Sequence, residues 1–522
     1  MNMVRPALVA LGLAAATSAA AQPGPSLCQR TVASLQSMLA AHATTSEAIT
    51  RDCLARTARL DRAGPHLNAV IALNPDALAE ARASDSARRA GQAKGPLDGI
   101  PILIKDNIET LDPVPTTAGS LALAANITHR DSPLVAHLRA AGAIILGKTN
   151  LSEWANYRST GAVSGWSGVG GLVKNPYALD RTACGSSSGS GAAVAAGLAP
   201  VAVGTETDGS VVCPSSVNGL VGIKPTLGLV SRTRVVPISG SQDTPGPMAH
   251  SVADAAAMLT LMAGTDPADA ATADADRHKT DYAANLPTDL HGVRIGVLRD
   301  RVGTQSRLTA LFEAALARLT AAGATLVEIK DSHIDPGIGA REQTILSTEF
   351  KPAIAAYLAT TPAAVQSRSL ADLIAFNRAN TAREMRWFDQ ELFDQSQATK
   401  GLANPDYIRA RDSAKRLAGP EGIDRLLRDN HVALLVQPTQ GAAWLSDPVT
   451  GDSPGGPSAS DLPAIAGYPH VTVPMGQWRE LPVGLSFIGP RWGEAGLIRA
   501  AYAYEHARGP FPAPRFLPTA PR

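Results

Sequence analysis

Three sets of residues in this sequence have the types and spacing of a nucleophile and its partners. The first is Gly185-Ser186-Ser187-Ser188-Gly189, which matches the Gly-x-Ser-x-Gly elbow with Ser187 at its centre. An elbow serine needs a buried strand running straight into the turn. Pro176 to Cys184, with Asp180 and Arg181 inside it, does not read as one. The second is a thiol at Cys184 or Cys213. Neither has the flanking pattern of a thiol hydrolase or an evident electropositive niche. The third joins a lysine to serines far along the chain. Pro96 to Asp106 delivers a single lysine, Lys105, at the end of the apolar run Ile100 to Ile104. Desolvation there lowers the pKa of an amine and lets it work as a neutral base. Taken alone, the segment fits a strand-end lysine turned to solvent better.

The stretch from Cys184 to Pro225 gives Lys105 company. Its Gly/Ser loop opens an Ala-rich helix, whose first amides suit anionic groups. Thr207-Asp208-Gly209-Ser210 then forms a tight turn after a buried run. Consecutive N–H groups in such a turn are able to converge on one oxygen, as an oxyanion hole requires.

These segments resemble the amidase signature family. Gly185-Ser186-Ser187-x-Gly189 followed by Asp208-Gly209-Ser210 is its hallmark, and Lys105 falls where the family's lysine lies. Ser186 and Ser210 stand 24 positions apart (210 − 186), the family spacing. The likeness continues through Gly222 to Thr226, Gln242 to Pro247 and Gly467 to Gly489, and is greatest to the peptide amidases. It implies an α/β fold with a mixed central β-sheet covered by helices on both faces. It also implies a catalytic set of Lys105, Ser186 and Ser210. Ser210 would attack the carbonyl. Ser186, after a cis peptide bond from Gly185, would bridge Ser210 and Lys105. Neutral Lys105 would take a proton and return it to the leaving nitrogen. Backbone N–H groups of Thr207, Asp208, Gly209 and Ser210 would receive the oxyanion. No metal, cofactor or histidine is implied.

The implied substrate is a small-molecule or peptide amide, foremost the C-terminal amide of peptides. Aryl-acylamides, fatty-acid amides and esters are the alternatives within the family. A transamidating subunit for charged tRNA shares the signature, and the near-neutral charge and export signal count against it. An inactive exported binding protein would not need all three residues intact. Asp208-Gly209-Ser210 departs from a frequent Gly-Gly-Ser, and Ser188 from a frequent Gly; neither removes a catalytic group. Lys224 reads as structural in its Gly/Pro turn. Gln242 and Asp243 either orient the site or brace their loop. Asn156 to Trp166 and Trp444 either line the cleft or pack.

Strands and helices must hold these segments in place. A capping box at Thr44 and Glu47 predicts a helix through Leu60, and Leu67 to Leu73 reads as a strand. Helices are expected at 75–90, 132–141, 251–264, 306–322 and 494–507, with a mainly helical cover at 340–430. Strands are expected at Ile100 to Ile104, Ile144 to Leu146, Val293 to Leu298, Thr325 to Ile329, Val432 to Val436, Val471 to Val473 and Val483 to Ile488. This alternation argues an α/β fold with a mixed sheet. Residues 157–247, dense in Gly, Ser, Thr and Pro, form a long loop-rich segment of the functional kind.

Composition sets the outer frame. With 45% apolar and 18% charged residues and a formal charge of +1, bulk disorder, nucleic-acid binding and an anionic-membrane surface find no support. Arg5, the apolar run Ala7 to Ala16 and Ala19-Ala20-Ala21 fit an export signal over 1–21. The mature chain would then start near Gln22, form a single domain over 22–522, and act as a monomer in the periplasm or outside the cell, without stable membrane insertion. Cys28 and Cys53 are close enough in sequence to pair; small buried thiols would satisfy the pattern as well.

Overall fold

The computed structural model describes residues 26–521, so the expected export signal lies outside the described residues. Among them, one 11-stranded sheet takes up β1 (Val70–Leu73), β2 (Pro101–Lys105), β3 (Ile144–Thr149), β4 (Val201–Glu206), β5 (Val221–Lys224) and β6 (Thr244–Ala249). It continues with β7 (Arg294–Leu298), β8 (Thr325–Ile329), β9 (Leu434–Pro438), β10 (His470–Trp478) and β11 (Leu481–Ile488). The spatial order is β1-β3-β2-β4-β6-β5-β10-β11-β9-β7-β8.

The strands β3, β2 and β4 are mutually parallel, as are β9, β7 and β8; the other neighbours run antiparallel. Helix Pro133–Ala140 crosses from β2 to β3, and helix Ser306–Ala321 from β7 to β8. Every residue of β2, β3 and β4 is buried. That is why their sequences read as continuous apolar runs instead of alternating ones. Helices flank this mixed sheet, as expected.

Three local expectations need correction. Lys224, expected in a Gly/Pro turn, ends the strand Val221–Lys224. The strand Thr244–Ala249 is not among those expected either, because Pro245 and Pro247 argue against a strand. It is tolerated because β5 pairs only with Met248 and Ala249, so both prolines lie where one flank has no ladder to break. The helix expected to start at Thr44 starts one residue later. Thr45 is its cap and accepts from Ala48 N–H, while Asp85 accepts from the N–H groups of Ser46 and Glu47.

The segment between β8 and β9 is helical and adds no strand. Its first helix, Ile338–Leu358, meets the loop before β6: Glu349 accepts from Ser239 Oγ at 2.6 Å and Ser241 N at 2.9 Å. A second attachment is ionic. Arg158 is wholly buried, lies 2.9 Å from Glu153 Oε1 and 4.0 Å from Glu384 Oε2, and stacks 4.2 Å from the Phe388 ring. Trp166, a cleft candidate, packs into the same cluster against Trp387 and Phe388. Burial and the facing Glu384 raise the Glu153 carboxyl well above its usual range, against the pull of Arg158. Arg158→Met leaves two buried carboxyls without their cation. It is expected to cost about 3–5 kcal/mol in urea unfolding at neutral pH, and less at low pH, where Glu153 is protonated.

Candidate active site

Lys105 ends β2, with parallel neighbours on both sides, so its side chain emerges at the carboxyl ends of β3, β2 and β4. That is where open α/β sheets present their clefts. The residue is completely buried. Its Nζ lies 2.7 Å from Ser186 Oγ, 2.8 Å from Thr205 Oγ1 and 3.2 Å from Thr205 O. Burial pushes the amine well below the ordinary lysine range, while the Asp243 and Glu206 carboxyls act the other way. A neutral amine has two hydrogens and one lone pair. The Thr205 carbonyl can only accept, and Asn107 Nδ2, donating to Thr205 Oγ1 at 3.0 Å, orients that hydroxyl. In that neutral form, with both hydrogens on Thr205, the lone pair would face Ser186.

Ser186 precedes the wholly buried helix Ser188–Ala195, and its peptide bond from Gly185 is cis. A Cβ at Gly185 would overlap Ser152 Oγ, so only glycine fits there. Ser187, the elbow candidate, is spent on structure: its Oγ donates to Thr205 O at 3.0 Å and accepts from Thr205 N at 3.2 Å. No strand precedes it, as the sequence argued. Cys184 and Cys213 are joined in a disulfide, which removes both as thiol nucleophiles.

Ser210 sits in the turn after β4 and is 8% exposed, the outermost of the three candidates. Among the described residues no hydrogen bond joins its Oγ to Ser186. The two segments meet instead through Ser187 N–H and Ser210 C=O at 3.2 Å. The N–H groups of Thr207, Asp208 and Ser210 donate to no acceptor among the described residues, and that of Gly209 turns towards the Glu206 carboxylate. Gly209 has φ +77°, and a Cβ there would press on Ser460.

Two residues that sequence reasoning passed over complete the turn. Thr205 is the hub described above. Glu206 folds its carboxylate under the loop and accepts from Val211 N at 2.7 Å and Val212 N at 2.9 Å, closing the turn that carries Ser210. Burial raises this carboxyl, and Lys224 is the largest influence against it. Lys224 itself is wholly buried, donates to Pro225 O at 3.0 Å and is brought down to about 8 by burial. The Glu206, Glu494 and Asp208 carboxyls act against that burial, and its hydrogen bond to Pro225 O fits the structural reading. Both residues stand in Thr205-Glu206-Thr207-Asp208-Gly209-Ser210, so the signal was present; their side-chain directions were not.

Asp243 and Gln242 brace and orient together. Asp243 accepts from Thr207 Oγ1 at 2.6 Å and from Ile238 N and Ser239 N at 2.8 and 2.9 Å. Gln242 Nε2 donates to Glu342 Oε1 at 2.7 Å and approaches Thr207 O at 3.3 Å. Burial lifts Glu342 to about 7 and, with Glu342 facing it, lifts Asp208 well above its usual value. Trp444 packs beside the Cys184–Cys213 bridge and donates to Asp452 at 3.0 Å.

This sequence and geometry have counterparts among known proteins. The family model described as Amidase matches residues 48–498. The X-ray structure of native peptide amidase from Stenotrophomonas maltophilia has a TM-score of 0.88 and 51% identity, over 93% of this chain and 98% of that one. A probable amidase of Arabidopsis thaliana is 38% identical over 86% of this chain and 84% of its own. A glutamyl-tRNA(Gln) amidotransferase subunit from Chloroflexus aggregans is 35% identical over 92% of this chain and 98% of its own.

Two outcomes test the electrostatics. Thr205→Val keeps the carbonyl but loses Oγ1. It should lower kcat by roughly 10- to 100-fold, as losing a hydrogen bond of about 1.5–3 kcal/mol predicts. KM should be little changed, and Thr205→Ser should recover most of the loss. Activity that depends on neutral Lys105 falls as pH drops through its lowered pKa. Ionised Asp243 favours the protonated amine, so Asp243→Asn should move the acid limb of the kcat profile to lower pH. A shift to higher pH would refute the assigned coupling.

Proposed function

This chain belongs to the amidase family and is an amide hydrolase, and from that premise we propose that it removes the C-terminal amide of peptides through a serine acyl-enzyme. Ser210 Oγ attacks the amide carbonyl carbon. Its proton passes to Ser186 as the Ser186 proton passes to Lys105 Nζ. The carbonyl oxygen becomes an oxyanion and is received by the N–H groups of Thr207, Asp208 and Ser210, whereas that of Gly209, the fourth donor expected from the sequence, is turned to the Glu206 carboxylate. Protonated Lys105 then returns a proton through Ser186 to the nitrogen, the C–N bond breaks and ammonia leaves. Water, deprotonated by the same relay, attacks the Ser210 ester. The peptide departs with a free carboxylate, and Ser210 recovers its proton.

The observation that carries this chemistry is the fully buried Lys105 amine, 2.7 Å from Ser186 Oγ, with Thr205 accepting its other bonds. The remaining link needs Ser210 Oγ to turn towards Ser186. Catalytic hydrogen bonds commonly tighten only when substrate is bound. The peptide-amide substrate is supported by 51% identity over most of both chains to a protein named as a peptide amidase. Likeness to the glutamyl-tRNA(Gln) amidotransferase is lower, at 35%.

Export of the chain, with residues 1–21 as signal, belongs to the same proposal, as do a single domain over 22–522 and a monomer. Export is supported by the cysteines: the chain has four, and they pair as Cys28–Cys53 and Cys184–Cys213. Disulfides persist mainly in oxidising compartments. No helix of the described residues is long and apolar enough to cross a membrane.

Release of ammonia from peptide amides and free amino-acid amides, of arylamine from anilides and of ethanol from ethyl esters measures the substrate class. Peptide amides should give the highest kcat/KM, and Ser210→Ala should lose turnover by at least about 1,000-fold. Substantial activity in Ser210→Ala would sink the nucleophile assignment. A preference for anilides or esters would sink the peptide-amide reading alone.

A further inference from the structure

The Cys184–Cys213 disulfide lies between the two serine segments. Cys184 is two residues before Ser186, and Cys213, in the first turn of helix Val212–Val217, is three residues after Ser210. The two Cα atoms are 6.0 Å apart. Other ties between these segments act further from the serines. Asn218 Nδ2 bridges Ala183 O and Pro214 O at 3.0 and 2.8 Å. Asn175 Nδ2 bridges Thr182 O and Val217 O at 3.0 and 2.9 Å. Close to the serines themselves, the bridge is accompanied by the 3.2 Å bond from Ser187 N–H to Ser210 C=O, and Ser187 Oγ holds the Thr205 peptide, five residues before Ser210, at 3.0 and 3.2 Å.

The backbone at Cys184 adds a second observation. Its φ is +56°, a left-handed conformation unfavourable for a residue with a side chain. Ser188 Oγ holds the Cys184 carbonyl from the other side. The residue is therefore fixed in a demanding geometry immediately before the serine that touches Lys105. The bridge also packs against Val217, Ala443 and Trp444, with the two cysteines 5% and 7% exposed.

We propose that the Cys184–Cys213 disulfide is a positioning device for the reaction: it sets the approach of Ser186 to Ser210 and so controls turnover more than substrate binding or global stability. This rests on the assignment of Ser186 and Ser210 above. The physical reason is that a proton relay through two hydroxyls tolerates little displacement. A shift of about 1 Å can cost on the order of 100-fold in rate. The helix Val212–Val217 and the segment before Ser186 each have their own anchors, so cutting the bridge loosens their mutual register without releasing either from the core.

The test uses the full chain. Cys184→Ser/Cys213→Ser is compared with wild type, Cys28→Ser/Cys53→Ser and Ser210→Ala by kcat, KM, circular dichroism and thermal midpoint. The double variant at 184 and 213 should lose roughly 10- to 100-fold in kcat with KM within threefold and the native spectrum retained. The variant at 28 and 53 should keep kcat within twofold. Should the 184/213 variant not fold, dithiothreitol acting on folded Cys28→Ser/Cys53→Ser provides the second measurement. The dithiol is oxidised to its cyclic disulfide as the bridge gains two electrons and two protons. Activity should fall without unfolding and return when oxidised glutathione re-forms the bond, itself becoming two thiols. Full kcat in the reduced or substituted protein, or a loss that tracks unfolding, would overturn the inference. Activity in Ser210→Ala would overturn the underlying assignment instead.

Discussion

An amine placed where water does not reach is the constraint from which the rest of this site follows. Lys105 has no exposed surface. Desolvation favours its neutral form, and Asp243 and Glu206 moderate the effect only partly. A charged lysine there would need a counter-ion in contact. Among the described residues it has none within salt-bridge distance, and instead has two oxygens of Thr205 and the hydroxyl of Ser186. Lys148, on the neighbouring strand, is equally buried but lies 3.7 Å from Asp106 and donates to Ile108 O and Thr116 Oγ1. Two buried lysines of one sheet thus meet different surroundings: one has a carboxylate for company, the other a serine.

The second feature is economy at the end of β4. Thr205 serves Ser187 through its peptide and Lys105 through both its carbonyl and hydroxyl. The next residue, Glu206, gathers the N–H groups beyond Ser210, and this leaves those of Thr207, Asp208 and Ser210 without an acceptor among the described residues. Unpaired N–H groups at one turn normally carry an energetic penalty. Here they form the feature that an oxyanion would satisfy. Three carboxyls about this turn, the buried Glu206 and the part-buried Asp208 and Asp243, are all raised by loss of solvent. Clusters of perturbed groups of this kind are characteristic of functional sites.

How much was legible in advance varied with the range of the interaction. The Ser187 elbow could be set aside from sequence because the required strand is a local feature, and Pro176 to Cys184 lacks it. The strands Ile100 to Ile104 and Ile144 to Leu146 were readable because full burial leaves an unbroken apolar run. The strand Thr244–Ala249 was hidden by its prolines, whose cost depends on how far the neighbouring β5 ladder extends. The cap at Thr45 was missed by one residue, since adjacent threonines offer the same local chemistry and only the carboxylate of Asp85 fixes where the helix starts.

By itself the sequence determined which groups are chemically available: a strand-end lysine, two serines 24 positions apart (210 − 186) and a glycine-bearing turn between apolar runs. Those are properties of residue type and local spacing, and resemblance gave them an order. Tertiary structure decided what each group faces. It set Lys105 against Thr205 across parallel strands, aimed Glu206 back under its own loop, turned Lys224 inward onto Pro225 O and brought Cys184 to Cys213. Each of these depends on strand order and on side-chain direction at full burial, where desolvation and hydrogen-bond geometry, rather than residue type, settle whether an amine is a base or a cation and whether a cysteine is a nucleophile or a brace.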